Sequence, residues 1–350
     1  MKNKKLNPWI LGFVIFLVLI LGACVFFGMR ELKDNKDTQI DTETQGSEID
    51  TESETESEVD TETETELKPP SGMVEGVETF VLFGVDSRTN QLGKDTHSDS
   101  IMVMSVNHDA GTVRVASIYR DCLVNIPGKG YEKITHAHCY GGPELALQTV
   151  NQNFDLYAEH YVTVNFNTLK ELVDSLGGVE ITLTDKEASV MESDRITGAG
   201  TYVLNGAEAL TYSRIRYIDT DYKRTERQRD VLFQIFEKGK PLSYGEKLDL
   251  VEGLLDNINT NYEKDEILVL LYSLSKYEIE QMSAFPEVFY AGYVADKDWV
   301  EVPWYLTDMN QALRQFLYGI TEYTPSDRVQ EYSDAISQLV SGPNHDKRKK

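Results

Sequence analysis

Residues 78–85 (ETFVLFGV), 100–107 (SIMVMSVN) and 112–118 (TVRVASI) are short runs dense in Val, Ile, Met and Phe, bounded by Gly, Asn and Asp. That pattern predicts three strands, with the HDAG turn at 108–111 joining the last two as a hairpin. After YGGP a helical period runs through 143–154, with Leu145, Val150 and Phe154 among its apolar positions. HYVTVN (160–165) alternates like a strand. The next segment, FNTLKELVDSLGG, places Leu169, Leu172, Val173 and Leu176 on one stripe and ends at Gly177, as helices do. VEITL (179–183) reads as a further strand. The rest of the pattern is helical over 206–213, 223–237, 246–258 and 263–276, with WVEVPWYL (299–306) as an irregular break. Strands interleaved with helices predict an α/β fold, a central mixed β-sheet covered by helices.

The N-terminus changes this picture. Trp9–Met29 is a run of 21 residues without a charge. As a helix it would measure about 31 Å, enough to cross the hydrocarbon core of a bilayer. Lys2, Lys4 and Lys5 favour a cytoplasmic start, so residues 1–8 are expected inside, 9–29 in the membrane and the remainder on the extracellular face. LGAC (Leu21–Cys24) looks like a lipoprotein processing box, but the apolar run continues through Val25, Phe26 and Phe27, which favours an uncleaved anchor. Residues 30–72 are expected to form a disordered linker. Its Asp41–Glu66 stretch is Thr/Glu/Ser repetition with twelve acidic residues and no basic one, which cannot build a core and repels itself into extended shapes. Residues 74–320 then form the extracellular domain and 321–350, ending DKRKK, a tail.

The chain has a formal net charge of −24, and the linker carries half of it. The −12 that remains is ordinary surface acidity and gives no reason to expect nucleic acid as a partner. Outside the anchor only Cys122 and Cys139 could pair, and two thiols in a domain of this size do not make a disulfide framework.

Against that acidity, Ser213–Arg229 (SRIRYIDTDYKRTERQR) holds five of the thirteen arginines. Arg214 and Arg216, two apart, share one side of an extended segment. Further on, Arg224, Arg227, Gln228 and Val231 share a helical face that continues into core residues Leu232, Ile235 and Phe236. Arginines that lead into a core stripe, rather than lying opposite it, suit an anion, and several converging guanidinium groups suit a diphosphate. The plainer alternative is a salt-bridged helix with Asp219, Asp221 and Glu226 as partners. Elsewhere, Asp86 directly follows one predicted strand and Asp99 directly precedes another, while Arg120 and Asp121 follow the third. Carboxylates at strand ends can hold Mg²⁺ or Mn²⁺ with phosphate oxygens and water, or simply cap turns. His97, His136 and His138 could contribute to a zinc site, but their spacing fits no standard ligand set, which leaves structural or cavity-lining roles. Neither a G-x-x-x-x-G-K-[ST] phosphate loop nor a G-x-S-x-G elbow is present.

Five motifs in order, VLFGVDSR, SDSIMVMSVN, SIYRDCLVNIP, KITHAHCYGG and YSRIRYIDTDYKRTERQR, cover roughly residues 78–237 behind a membrane anchor and resemble the LytR-CpsA-Psr family of cell-envelope proteins. The resemblance implies a phosphotransferase that moves a glycopolymer, of teichoic acid or capsular polysaccharide type, from a polyprenyl diphosphate carrier to peptidoglycan. It implies Mg²⁺ (or Mn²⁺) on Asp86 and Asp99, a diphosphate held by Arg88, Arg120, Arg214, Arg216, Arg224 and Gln228, and an apolar channel for the prenyl chain. Arg227, on the same helix face, joins that set of expected contacts. Asp99 or Asp121 would take the proton of the attacking hydroxyl beside Arg120. His97 stands where the family has an arginine, which would make diphosphate binding pH-sensitive. Ser100 and Cys122 replace threonines, and Tyr119 replaces a proline. A lipid-carrier pyrophosphatase and a polyprenyl-phosphate-binding envelope sensor remain as alternatives at this stage.

Overall fold

The computed structural model describes residues 73–340, apart from 88–90, 217 and 295–296. The proposed cytoplasmic start and anchor (1–29), the whole linker (30–72), Arg88 and the last ten residues lie outside the described residues. Among the described residues no helix is long and apolar enough to cross a membrane.

Six strands form the central sheet: β1 (Val77–Val85), β2 (Ser98–Asn107), β3 (Thr112–Ile118), β6 (His160–Asn165), β9 (Asn259–Thr260) and β10 (Glu278–Phe285), in the spatial order β10-β3-β2-β1-β6-β9. β1 pairs antiparallel with β2 and parallel with β6, so the sheet is mixed, as expected from the sequence. Successive side chains leave a strand on opposite faces, so the dense apolar runs serve two cores. Val81, Phe83, Ile101 and Val103 point into a core closed by the hairpin β4 (Leu123–Ile126) with β5 (Gly130–Lys133), α1 (Thr135–Phe154), α8 (Leu306–Tyr318) and α9 (Asp327–Val340). Phe80, Leu82, Met102 and Met104 point the other way, towards α5 (Asp221–Gly239), α6 (Tyr244–Leu254) and α7 (Lys264–Lys276). A third cluster joins α2 (Phe166–Ser175), the hairpin β7 (Val179–Leu183) with β8 (Gly200–Leu204), the short α3 (Asp185–Ala188) and α4 (Gly206–Ser213).

Four features differ from the sequence reading. The helix expected over 143–154 begins eight residues earlier. Gly141 and Gly142 break it with non-helical backbone, and Pro143 restarts it. The segment read as an irregular break at 299–306 is β12 (Lys297–Pro303), paired with β11 (Phe289–Val294), before α8 begins at Leu306. The helix expected over 246–258 ends at Leu254, and a 3₁₀ turn follows over Leu255–Asn257. Residues 321–340 are part of the domain rather than a tail. Val329, Ile336 and Val340 of α9 are buried in the first core, and Asp155 accepts from the backbone N–H and hydroxyl of Ser326 at 2.8 and 2.7 Å. Cys122 and Cys139 are both free thiols.

Candidate functional site: an apolar channel with an arginine-lined mouth

Between the second face of the sheet and the helices that cover it runs a cavity of about 820 Å³. Its walls are apolar: Leu82, Met102 and Met104 from the sheet, Leu169 and Leu172 from α2, Val231 and Ile235 from α5, and Leu270, Leu271 and Leu274 from α7. Its aspartates and arginines gather at one end.

That end is built by strand termini. β1 and β3 run the same way and β2 runs against them, so the end of β1, the start of β2 and the end of β3 meet on one edge. The register pairs Gly84 with Ser100 and Val85 with Ser98 across a bulge, and the backbone N–H of Asp86 donates to the carbonyl of His97 at 3.2 Å. Asp86, Asp99 and Arg120 therefore line the mouth together. Nη1 of Arg120 donates to Oδ1 of Asp99. Parallel pairing of β6 with β1, Asn165 opposite Val85, brings Asn165 and Phe166 to the same edge.

The arginine segment arrives from the other side. α4 ends at Ser213, Arg214 caps it, and Arg214 and Arg216 are exposed on either side of buried Ile215. Both line the cavity, and the Arg214 guanidinium lies 4.2 Å from the centroid of the Phe166 ring, a cation–π contact that orients it. On α5, Arg224, Gln228, Val231 and Ile235 line the cavity at i, i+4, i+7 and i+11, so one helix face turns from guanidinium to hydrocarbon as it descends.

Not every expected contact reaches this mouth. Arg227 is buried behind it: Nε donates to Glu187 at 2.7 Å, and the rest of the fork serves Asp219 and the carbonyl of Ile215. Seated three residues after Arg224, it leaves the helix about 60° to one side of the cavity face, where α3 supplies a carboxylate. Its role is to dock α5 against α3 and the 215–219 loop. Burial pushes the Glu187 carboxyl up, but hydrogen bonds from the Thr184 N–H and from Arg227 outweigh it and hold the group below its ordinary range.

Asp121 does not line the cavity either. Its Oδ1 lies 3.3 Å from Lys133 Nζ and 3.7 Å from Arg120 Nε, so it backs the Arg120 guanidinium rather than facing a substrate. His97 is exposed and turned to His136, ring centroids 5.0 Å apart, instead of lining the cavity. His138 is structural: Nδ1 donates to the Thr96 carbonyl at 2.9 Å while the ring packs against Phe83. Burial lowers the pKa of both His136 and His138, which keeps these rings neutral. Phe166, Asn165 and Glu192 are lining residues that the motifs did not single out. The alternation of HYVTVN predicted the strand that delivers the first two, but not which strand it would lie beside.

Among the described residues no group of three or more His, Cys, Asp or Glu side chains gathers to hold a metal. Asp86 and Asp99 offer hard anionic oxygens at the mouth, a set that fits Mg²⁺ or Mn²⁺ only when phosphate oxygens and water complete the shell.

The model of the LytR_cpsA_psr family matches residues 38–315. The polyisoprenyl-teichoic acid–peptidoglycan teichoic acid transferase TagT of Bacillus subtilis is 30% identical over 295 residues, covering 80% of this chain and 86% of the relative. The TagU transferase of the same description from Enterococcus faecalis is 30% identical over 294 residues, 82% of this chain and 86% of the relative. Among solved structures, the LytR-CPS2A-psr family protein YwtF (TagT) with bound octaprenyl pyrophosphate lipid superposes with a TM-score of 0.55 at 27% identity, over 70% of this chain and 92% of that one. The chain belongs to the LytR-CpsA-Psr family.

Proposed function

We propose that the protein is a phosphotransferase that moves a glycopolymer, of teichoic acid or capsular type, from a polyprenyl diphosphate carrier to peptidoglycan. The observation that carries this reading is the cavity itself: an apolar channel that accepts a hydrocarbon tail and opens on four arginines, Arg120, Arg214, Arg216 and Arg224, that accept a diphosphate. Transferases named for this reaction are similar over most of their length, and a similar solved structure holds a prenyl diphosphate.

In the proposed reaction a hydroxyl of the acceptor glycan attacks the phosphorus that carries the glycopolymer. A new O–P bond forms, the bridging P–O bond breaks, and polyprenyl phosphate leaves. The charge that builds on the leaving phosphate falls among the guanidinium groups, which are held in place before reaction. Asp99, the partly buried carboxylate at the mouth, takes the proton of the attacking hydroxyl, and Arg120 keeps that carboxylate oriented. Gln228 supplies a neutral donor between the diphosphate and the hydrocarbon wall. Asp86 and Asp99 would hold Mg²⁺ or Mn²⁺, which would supply further positive charge to the diphosphate. The reading extends to location: Trp9–Met29 anchors the chain in the membrane, the acidic linker spaces the domain from it, and the site faces the wall on the extracellular side.

The test is reconstitution of the full-length protein with a polyprenyl-diphosphate-linked glycopolymer and a peptidoglycan oligomer. Covalent conjugate is the expected product. Release of free phosphorylated glycopolymer in its place would make the protein a lipid-carrier pyrophosphatase, and tight binding without turnover would make it a sensor.

A further inference from the structure

The apolar channel has a built floor, and two of its residues, Phe80 and Tyr262, lie outside the five motifs. Counting along β1 from the mouth at Asp86, the cavity-facing positions are Gly84, Leu82 and Phe80. At about 3.3 Å per residue, Phe80 lies about 20 Å from Asp86. At that level β2 contributes Met104, the partner of Phe80 in register, and the chain after β9 contributes Tyr262. Tyr262 is almost fully buried. Its ring meets Phe80 edge to face at 6.1 Å and stacks on His160, 3.9 Å between centroids and 10° from parallel.

Behind this ring the chemistry changes. The hydroxyl of Tyr262 donates to Oε1 of Glu78 at 2.7 Å, Oε2 of Glu78 lies 3.1 Å from Nε2 of His108, and Nδ1 of His108 lies 3.3 Å from the hydroxyl of Tyr277. Glu78 is the next position of β1 on the face of Phe80, so the level where the channel would continue is occupied by a carboxylate and its partners. A hydrocarbon tail pushed past Tyr262 would strip these hydrogen bonds without replacing them, and stripped polar groups are costly. Burial and the neighbouring Glu78 carboxylate hold the Tyr262 phenol well above its ordinary pKa, so it stays a donor.

We propose that Tyr262, latched by Glu78 and backed by His160, sets the length of prenyl tail that the channel takes up in contact with protein. This rests on the reading of the cavity as a prenyl channel. Isoprene units within about 20 Å of the diphosphate gain apolar wall, and units beyond it gain none in this direction.

Calorimetry of the full-length protein with geranyl, farnesyl, geranylgeranyl and octaprenyl diphosphates tests it. For the wild type, affinity should rise with each added unit and level off once the tail reaches the floor. Tyr262→Ala should move that break to longer tails, with octaprenyl diphosphate binding roughly tenfold tighter relative to geranylgeranyl than in the wild type. Tyr262→Leu, which keeps apolar bulk but removes the ring, gives the same readout should the alanine variant fold poorly. Tyr262→Phe retains the ring and should leave the break unmoved. An unchanged break in both folded Ala and Leu variants overturns the role of Tyr262 while leaving the channel intact. A wild type that binds all four diphosphates equally overturns the channel reading itself.

Discussion

Nη1 of Arg120 donates to Oδ1 of Asp99, and its Nε stands 3.7 Å from Asp121 on the other side. The guanidinium thus bridges a carboxylate inside the mouth and one outside it. It joins the end of β3 to the start of β2 and presents its remaining edge to the cavity. A lysine is a point charge and cannot reproduce this fork. Arg120→Ala should lower the rate of transfer by about 10²–10³, and Arg120→Lys should recover little of it. Initial rates at saturating donor check this. A lysine variant at the wild-type rate would show that fork geometry is unimportant.

Two classes of arginine sit within one short segment, and they should respond differently. Arg227→Ala removes a buried guanidinium from half-buried Glu187 and exposed Asp219 and should destabilise the fold by about 1–3 kcal/mol in urea unfolding. Arg214→Ala and Arg216→Ala act on exposed side chains that line the mouth, so unfolding should barely change. Each should weaken prenyl diphosphate binding by about 1.5–3 kcal/mol, the scale of one charge-assisted contact. Stability losses of equal size in all three variants would erase the distinction.

The proposed metal role has a binding readout. If Asp86 and Asp99 hold a divalent cation with the diphosphate, Mg²⁺ should tighten diphosphate binding to the wild type, and the gain should vanish in Asp86→Asn. Excess chelator should abolish transfer. Undiminished transfer in chelator would leave the arginines as the sole electrophiles.

The strands of the site were legible because β1, β2 and β3 are buried on both faces and read as dense apolar runs. β10 was not: Glu278, Glu280 and Gln281 are exposed on an edge strand, and the run lacks that signal. The β11–β12 hairpin was masked by exposed Tyr293 and Trp299, whose opposite faces carry the buried Val294, Val300 and Val302. Arg227 illustrates a subtler limit. Helical spacing puts it within one arc of Arg224 and Gln228, but which edge of the arc meets a cavity and which meets Glu187 depends on a distant hairpin. The placement of His97 was hidden for the same kind of reason: its ring faces His136 and does not line the cavity. α9 could have been read: Val329, Ser333, Ile336 and Val340 recur at i, i+4, i+7 and i+11, a core-facing stripe that the basic terminus obscured.

The last prediction concerns the support of the arginine mouth under acid. α4, which Arg214 caps, begins with a capping box between Asn205 and Glu208, and Glu208 also accepts from Ser193 and Arg195. Burial pushes this carboxyl up, but hydrogen bonds from Arg195, Ser193 and the Asn205 backbone bring it down from 4.5 to about 2. A carboxylate depressed in the folded state contributes stability that is present above the unfolded value and lost as pH falls through 4.5 towards 2. Because the Arg195 partner is exposed and screened by solvent, the contribution is on the order of 1–3 kcal/mol when fully expressed. Glu208→Gln removes the charge while keeping the shape. Its melting temperature should lie below that of the wild type at about pH 7, and the gap should close as pH approaches about 2. Thermal unfolding of both proteins across that range is the measurement. A gap that stays constant with pH would assign the loss to cap geometry and not to the Arg195 pair.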